Sequence, residues 1–398
     1  MTNQLTKDLN ITGKKILLRL DLNVPVFEGA ISETSRIEKI IPTIKMLKNK
    51  KTKIIIISHI GRPKGKWIKE LTLKNVAIKL SNFLDQKIIF HSEPISPSTK
   101  NQINLMKDGD VMLLENIRFY EGEENNDNDF AKKISELGDI YINDAFSCSH
   151  RAHASIEAIT KFIPSYFGLQ ISEEINALKK LTSEIKVPVS CIIGGSKIST
   201  KINIISNLIK KKINNIIIVG GMANNIIKEN GFNIGKSIYE KNTKEIVKNI
   251  FEDAKKLNCK VLYPVDVVTS KDMKNPGKIK NLQELNNEDI ILDIGPKTIQ
   301  VINNVINASN TILWNGPAGY FESSYFENGT KQIAKSISIK TKKDKIFSII
   351  GGGDTVAAIN KFGLSKNYTF VSTAGGAFLE FLEGKKLPGI KAIEINTK

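Results

Sequence analysis

Arginine is almost missing from this 398-residue chain. Only Arg19, Arg36, Arg62, Arg118 and Arg151 occur, among 58 basic side chains. The net charge of +17 is therefore a lysine charge. Readers of nucleic acid lean on arginine forks and on aromatic platforms. Aromatics make up 7% here, and the lysines are scattered without a long run. No specific nucleic-acid partner is expected in spite of the pI. Stretches such as "KKINNIIIVG" show Lys, Ile and Asn in excess together, the bias of an AT-rich genome. Cysteine is also scarce. Cys148, Cys191 and Cys259 stand far apart with no ligand spacing, which argues against a disulfide framework or a zinc site and fits a reducing cytoplasm. No apolar run approaches a membrane span, and the opening "MTNQLTKDLN" lacks the apolar core of an export signal. A soluble, cytoplasmic protein is expected. No G-x-G-x-x-G fingerprint occurs, which speaks against a dinucleotide dehydrogenase.

What is present is ample material for two cores: 41% hydrophobic residues over a length beyond one ordinary domain. Short β-branched runs predict strands at 15–20, 53–58, 87–91, 110–115 and 139–143. In the second half they fall at 187–193, 214–219, 260–263, 311–314, 345–350 and 368–372. Helical spacing fills segments between them, including 36–49, 72–84, 199–211, 239–257 and 297–308. Nearly continuous apolar strands alternating with helices mean parallel sheets covered on both faces. Eleven strands are too many for one compact open sheet, and an eight-stranded barrel needs fewer, evenly spaced units. The expected fold is α/β, with two doubly wound parallel-sheet domains. The stretch 170–185 reads as a helix joining them.

Ligands of open α/β sheets sit beyond the carboxyl ends of the strands. In the first half those ends carry Asp21 and Asn23, then His59, Gly61 and Arg62, then Asn116 and Arg118, then Asp144, His150, Arg151 and His153. In the second half they carry "GGSKISTK", "GGMAN", "NGPAGYFE", "GGGDT" and "TAGGAF". All five arginines and all four histidines precede residue 154. Forked arginines suit a small, multiply charged anion. Glycine turns entering helices expose N–H groups and suit a polyphosphate. "GFNIGKS" at 231–237 mimics a phosphate loop, but its glycines are one residue too close and it follows a helix. His91 is read as a surface residue, Arg19 as a structural partner within a strand, and Trp67 and Trp314 as packing residues.

Taken together, "RLDLNVP", "SHIGRPKG", "LLENIRFYEGEE", "NDAFSCSHRAHAS", "GGSKISTK", "ILDIGPKT", "WNGPAGYFE", "GGGDTVAA" and "VSTAGGAFLEFLEGKKLPGI" resemble the phosphoglycerate kinase family in content and order. The resemblance runs nearly end to end. It implies a phosphoglycerate-binding domain of residues 1–169 plus about 388–398, a hinge helix at 170–185, and a nucleotide-binding domain at 186–387, facing each other across a cleft. It implies that Asp21, Asn23, Arg36, His59, Arg62, Arg118 and Arg151 hold the glycerate substrate, with His150 and His153 in the same basic patch. It further implies that Lys201, Glu322, Gly352, Gly353, Asp354 and Thr355 hold ADP or ATP. Glu322 takes the ribose hydroxyls, Lys201 a phosphate, and Asp354 the Mg²⁺ ion. Arg36, Lys197 and the helix starts at Gly352 and Gly375 are the implied catalytic groups. Two positions depart from the family pattern: Ala374 replaces the first glycine of a triplet, and Ile291 replaces a glycine before Leu292.

The implied reaction moves a phosphoryl group reversibly between 1,3-bisphosphoglycerate and ADP, giving 3-phosphoglycerate and ATP. The acceptor of the reverse step is a carboxylate, already ionised at neutral pH. No general base is needed, and what remains is alignment, charge stabilisation and exclusion of water by domain closure. The family expectation is a monomer. The competing readings are a basic nucleotide- or RNA-binding protein without catalysis and a dehydrogenase on the same fold.

Overall fold

The computed structural model describes residues 9–396, apart from 28–29, 32, 181–185 and 212. The chain divides into two compact units, Met1–Asn176 with Lys386–Lys398, and Ala177–Lys385.

The first unit is built on six parallel strands in the spatial order Ile89–His91, Val111–Leu114, Lys53–Ile57, Lys15–Arg19, Ile140–Asn143, Ser165–Phe167. Each of Lys15–Arg19 and Lys53–Ile57 is buried at all but its first residue, so helices and loops cover both faces. The helix Ser35–Asn49 buries Ile37, Ile40, Ile44 and Leu47, the spacing of a single apolar stripe. That stripe packs on Ile16, Leu18, Ile54 and Ile56 of the sheet. The strand Ser165–Phe167 has no counterpart among the strands expected from sequence. Three residues between a proline and a glycine are too short to show a period.

The second unit repeats the plan. Its parallel strands run Lys260–Leu262, Asn215–Ile218, Val189–Ile193, Thr311–Asn315, Phe347–Gly351, Phe370–Val371. Counted along the chain this order is 3-2-1-4-5-6, so the direction of winding reverses between Val189–Ile193 and Thr311–Asn315. A crevice opens at such a switch point. Here the two loops leaving those strands touch. A Cβ on Gly194 would lie 2.3 Å from the Pro317 carbonyl oxygen, so this crossing admits only glycine. A three-stranded antiparallel sheet, Lys278–Asn281, Asp266–Ser270, Ile290–Ile294, stands beside the main one. The sequence does not announce it, because its strands are four or five residues long and the edge strand Lys278–Asn281 is largely lysine and asparagine.

The expected joining helix is observed as Leu169–Lys180, and residues 181–185 lie outside the described ones. Its start is held by Asp144, which accepts from Ile171 N at 3.0 Å and from Thr43 Oγ1 at 2.5 Å. Asp144 stands at a strand end, but its carboxylate is committed to this cap. The helix Pro388–Ile395 packs within the first unit, where Gly389 N donates to Ser149 O at 2.9 Å and Asn396 Nδ2 to Thr160 Oγ1 at 2.9 Å.

Candidate active site

In the first unit, the carboxyl ends of four neighbouring strands place polar side chains in one hydrogen-bonded cluster. Asp21, two residues beyond Lys15–Arg19, is buried and accepts from Arg36 Nη1 at 2.5 Å and from Ser147 Oγ. Its other oxygen accepts from Asn23 N at 3.0 Å. Asn23 Oδ1 accepts from Gly61 N at 2.9 Å, and the Gly61 carbonyl accepts from Arg118 Nη1 at 2.8 Å. Asp21, Asn23, Arg36 and Arg118 therefore form one chain of contacts, closed over the loop that presents Arg62.

His59 lies behind this chain and is buried. Arg19 Nη2 meets its Nδ1 at 3.1 Å. A guanidinium only donates, so Nδ1 accepts and the neutral ring carries its proton on Nε2. Burial, followed by the charges of Arg19, Arg118, His153 and Arg36, pushes the His59 pKa well below its ordinary value. Arg19 itself is fully buried, and its Nε donates to Ser155 Oγ at 2.9 Å. Ser155 passes the contact to Glu123 Oε1 at 2.6 Å. Arg19 is thus a structural residue that holds His59 directly and reaches Glu123 through Ser155. His153 is pushed down to about 3, by burial first and then by Arg118, Arg19, Arg151 and His150.

Three guanidiniums remain for a ligand. Arg36 is partly exposed beside Asp21, while Arg62 is exposed and Arg151 half-buried. Among the described residues, Arg62 and Arg151 have no carboxylate partner. Asp21, His59 and Cys148 bring one potential ligand atom each within 4.8 Å of one another. Surrounding arginines and the commitments of Asp21 and His59 make this a poor home for a cation. Cys148, Cys191 and Cys259 are buried free thiols.

In the second unit the strand ends surround a cavity of about 250 Å³ lined by Gly195, Gly221, Pro317, Glu322 and Asp354 among others. Apolar Ile227, Ile238, Val267 and Ile291 line another part of it. Lys201 Nζ donates to Asn315 Oδ1 at 2.5 Å, and Asn315 Nδ2 to the Gly351 carbonyl at 2.8 Å. Burial lowers the Lys201 pKa, against the raising influence of Asp354 and Glu383. Asn315, at the end of its strand within "WNGPAG", was not assigned a role from sequence. It holds Lys201 over the next strand end.

Gly352 has φ +95°, and a Cβ there would lie 2.6 Å from Asn315 Nδ2. This turn starts the helix Gly353–Lys361, with Asp354 exposed in its first turn. Thr355 is buried and its Oγ1 accepts from Gly316 N at 2.7 Å, so its hydroxyl locks two loops together. At Gly353 and Gly375 a Cβ would meet nothing within 4 Å among the described residues. The protein's own packing does not require glycine at either. Ala374 precedes the helix Gly375–Leu382 with φ −95°, ordinary for alanine, so that departure is accommodated without strain. Ile291 N donates to Ser237 Oγ at 2.8 Å, and its main chain is held within the protein.

Lys197 and Glu322 are both exposed, and Glu322 borders the cavity. The look-alike phosphate loop is spoken for elsewhere: Lys236 pairs with Glu288 at 2.5 Å, and Ser237 caps Ile291. His91 ends a strand, with Nε2 3.2 Å from Ser98 Oγ. Trp314 is buried, whereas Trp67 is 61% exposed and leans on Phe119.

The model of the family described as phosphoglycerate kinase matches residues 6–385. A phosphoglycerate kinase of Wolbachia pipientis subsp. Culex pipiens is 45% identical, over 96% of either chain. One of Rhizobium meliloti is 42% identical, over 99% of either chain. Among solved structures, phosphoglycerate kinase from Coxiella burnetii superposes with a TM-score of 0.90 at 36% identity, covering 99% of both chains. That of Pyrococcus horikoshii OT3 gives 0.85 at 29% identity over the same share. With two parallel-sheet units, an arginine cluster on one and a glycine-lined cavity on the other, and with these matches over its whole length, the chain belongs to the phosphoglycerate kinase family.

Proposed function

We propose that the two strand-end clusters divide the family's reaction between them. That reaction passes a phosphoryl group between 1,3-bisphosphoglycerate and ADP, giving 3-phosphoglycerate and ATP. In this reading the first unit holds the glycerate ligand with Asp21, Asn23, Arg36, His59, Arg62, Arg118 and Arg151. The observation that carries it is the pair of guanidinium forks beyond the strand ends, Arg62 and Arg151, left without a carboxylate among the described residues, beside Arg36 held on Asp21. Unpaired forks gathered by a rigid sheet are a site for carboxylate and phosphate. The neutral rings of His59 and His153 enter as hydrogen-bond donors, not as bases.

The second unit takes the nucleotide. Glu322 accepts from ribose hydroxyls, Lys201 pairs with a phosphate, and the N–H groups at Gly352, Gly353, Thr355 and Gly375 face the phosphoryl oxygens. The open space at Gly353 and Gly375 supports this reading, since a phosphate needs close backbone approach. The donor set also fits Mg²⁺. The exposed Asp354 offers one hard carboxylate beside the proposed phosphate cradle, and this ion favours a carboxylate, phosphate oxygens and water. When bound, the ion neutralises charge on the phosphates. Arg36 and Lys197 flank the transferring group and oppose the charge that develops on it. The 170–185 segment serves as the hinge for the closure that keeps water from the acyl phosphate. The enzyme works as a monomer in the cytoplasm. Among the described residues no helix is long and apolar enough to cross a membrane.

The test is a coupled assay with 3-phosphoglycerate, ATP and Mg²⁺ on the purified protein. Turnover that needs all three is expected. Salt-dependent RNA binding without turnover would refute the proposal.

A further inference from the structure

The turn that carries Lys197 has an anchor outside the glycine loop. Glu240 Oε1 accepts from Ser199 Oγ at 2.6 Å, and Oε2 from Ser199 N at 2.8 Å. The N–H of Ile198 also contributes a hydrogen bond to this carboxylate. Burial by itself would raise the Glu240 pKa, but these donors and the nearby Lys197 charge outweigh it and hold it below its ordinary value. Glu240 is therefore an ionised acceptor saturated by two successive backbone N–H groups and a hydroxyl. It lies near Lys197 without capturing it. Among the described residues Lys197 has no ion-pair partner, so its ammonium remains available.

Glu240 is itself held from the other side. Its backbone N donates to Asn225 Oδ1 at 2.8 Å, and Asn225 is fully buried. Two residues earlier, the Ile238 carbonyl accepts from Asn224 Nδ2 at 2.9 Å. The pair Asn224–Asn225, on the short helix Ala223–Glu229, thus pins the segment 238–240 by its main chain. Ile238 borders the cavity and is 55% exposed, an aliphatic side chain waiting for an apolar cover. One rigid strip, then, forms the wall of the cavity at Ile238 and grips the Lys197 turn at Glu240.

We infer that Glu240 is a positioning residue for phosphoryl transfer, holding the Ile198–Ser199 turn so that Lys197 meets the phosphoryl group in register with the nucleotide lying against Ile238. The inference rests on the reading that Lys197 flanks the transferring group. Glu240 touches neither substrate. Its effect falls on turnover rather than affinity, because a small misplacement of a charge aimed at the transition state is costly to rate.

The experiment is a double-mutant cycle in steady-state kinetics, with Lys197→Ala as reference. Glu240→Ala and Ser199→Ala are each expected to lower kcat on the order of tenfold, with KM for ATP and for 3-phosphoglycerate nearly unchanged. The double variant should be no slower than Glu240→Ala alone, since the hydroxyl contact that Ser199→Ala removes is one of those Glu240→Ala already removes. Ser199→Thr, which keeps the hydroxyl, should restore most of the rate. Thermal unfolding of every variant separates misfolding from misplacement. Full additivity, or a loss confined to KM, would overturn the role of Glu240 while leaving Lys197 in place. Unchanged turnover in Lys197→Ala would instead remove the reading on which the inference stands.

Discussion

Arg36 shows what a single residue contributes beyond its charge. Its Nη1 is bound to Asp21, which fixes the plane of the fork and leaves the remaining N–H groups for a ligand. Lysine cannot reproduce that fork. Arg36→Lys is expected to lose on the order of 10²-fold in kcat although the charge is kept. Steady-state rates at saturating substrates measure it, and wild-type turnover would sink the assignment. His153 gives a different signal. Its folded pKa of about 3 lies below the ordinary 6.5 expected of the unfolded chain. The neighbouring Glu123 is 3.7 Å from Nδ1, but its oxygens already accept from Ser155 N and Oγ. Between those two values the unfolded chain binds a proton that the folded one refuses. Stability therefore rises with pH through that window and falls as pH drops below about 6.5. His153→Gln should flatten this limb. Urea midpoints of both proteins from about pH 7 to about pH 5 report the difference.

At the scale of elements, the strand ends do the positioning and the helix starts supply partial positive charge. The turn between Phe347–Gly351 and Gly353–Lys361 depends on Gly352, where φ +95° and the nearby Asn315 amide both oppose a side chain. Gly352→Ala is expected to cost about 1–3 kcal/mol of stability. It should also disturb the Lys201–Asn315–Gly351 contacts. Gly375→Ala is the informative contrast. Among the described residues nothing lies within 4 Å of the added methyl, so the unfolding midpoint should hold while activity falls through crowding of the ligand. Paired denaturation and activity measurements read both. A stable, fully active Gly375→Ala would mean that no ligand approaches that helix start.

For the molecule as a whole, the division of ligands between two independently cored units makes a separable prediction. Lys201 belongs to the second unit and is tied to Asn315 there. Lys201→Ala should weaken ADP binding on the order of tenfold or more, by loss of a charged phosphate contact. Binding of 3-phosphoglycerate should stay nearly intact. Titration calorimetry with each ligand alone decides it, and equal loss of both would contradict the division. The net charge of +17 plays no part in this scheme. Most of it is surface lysine, and the useful fraction is the few arginines on the strand ends of the first unit.

Much of this is legible in the amino-acid sequence. Buried parallel strands advertise themselves, because both faces are covered and β-branched runs such as "KIIII" have no polar alternation to hide in. Glycine turns and clustered arginines mark the ends of those strands for the same reason that ligands use them. The short strand Ser165–Phe167 and the antiparallel sheet around Asp266–Ser270 stayed hidden, since brief or half-exposed strands leave no period to read. The sequence by itself therefore determined the α/β class, the two cores and which residue types lie at the strand ends. Only the tertiary structure decided which of those residues are free for chemistry. It committed Asp144 to a helix cap, Thr355 to a loop lock and Arg19 to holding His59. Among the described residues it left Arg62 and Arg151 without carboxylates, and it set Glu240 against the Lys197 turn. The reason is physical: a side chain's availability depends on which donors and acceptors surround it in space, and residues such as Glu240 and Ser199 stand 41 positions apart along the chain.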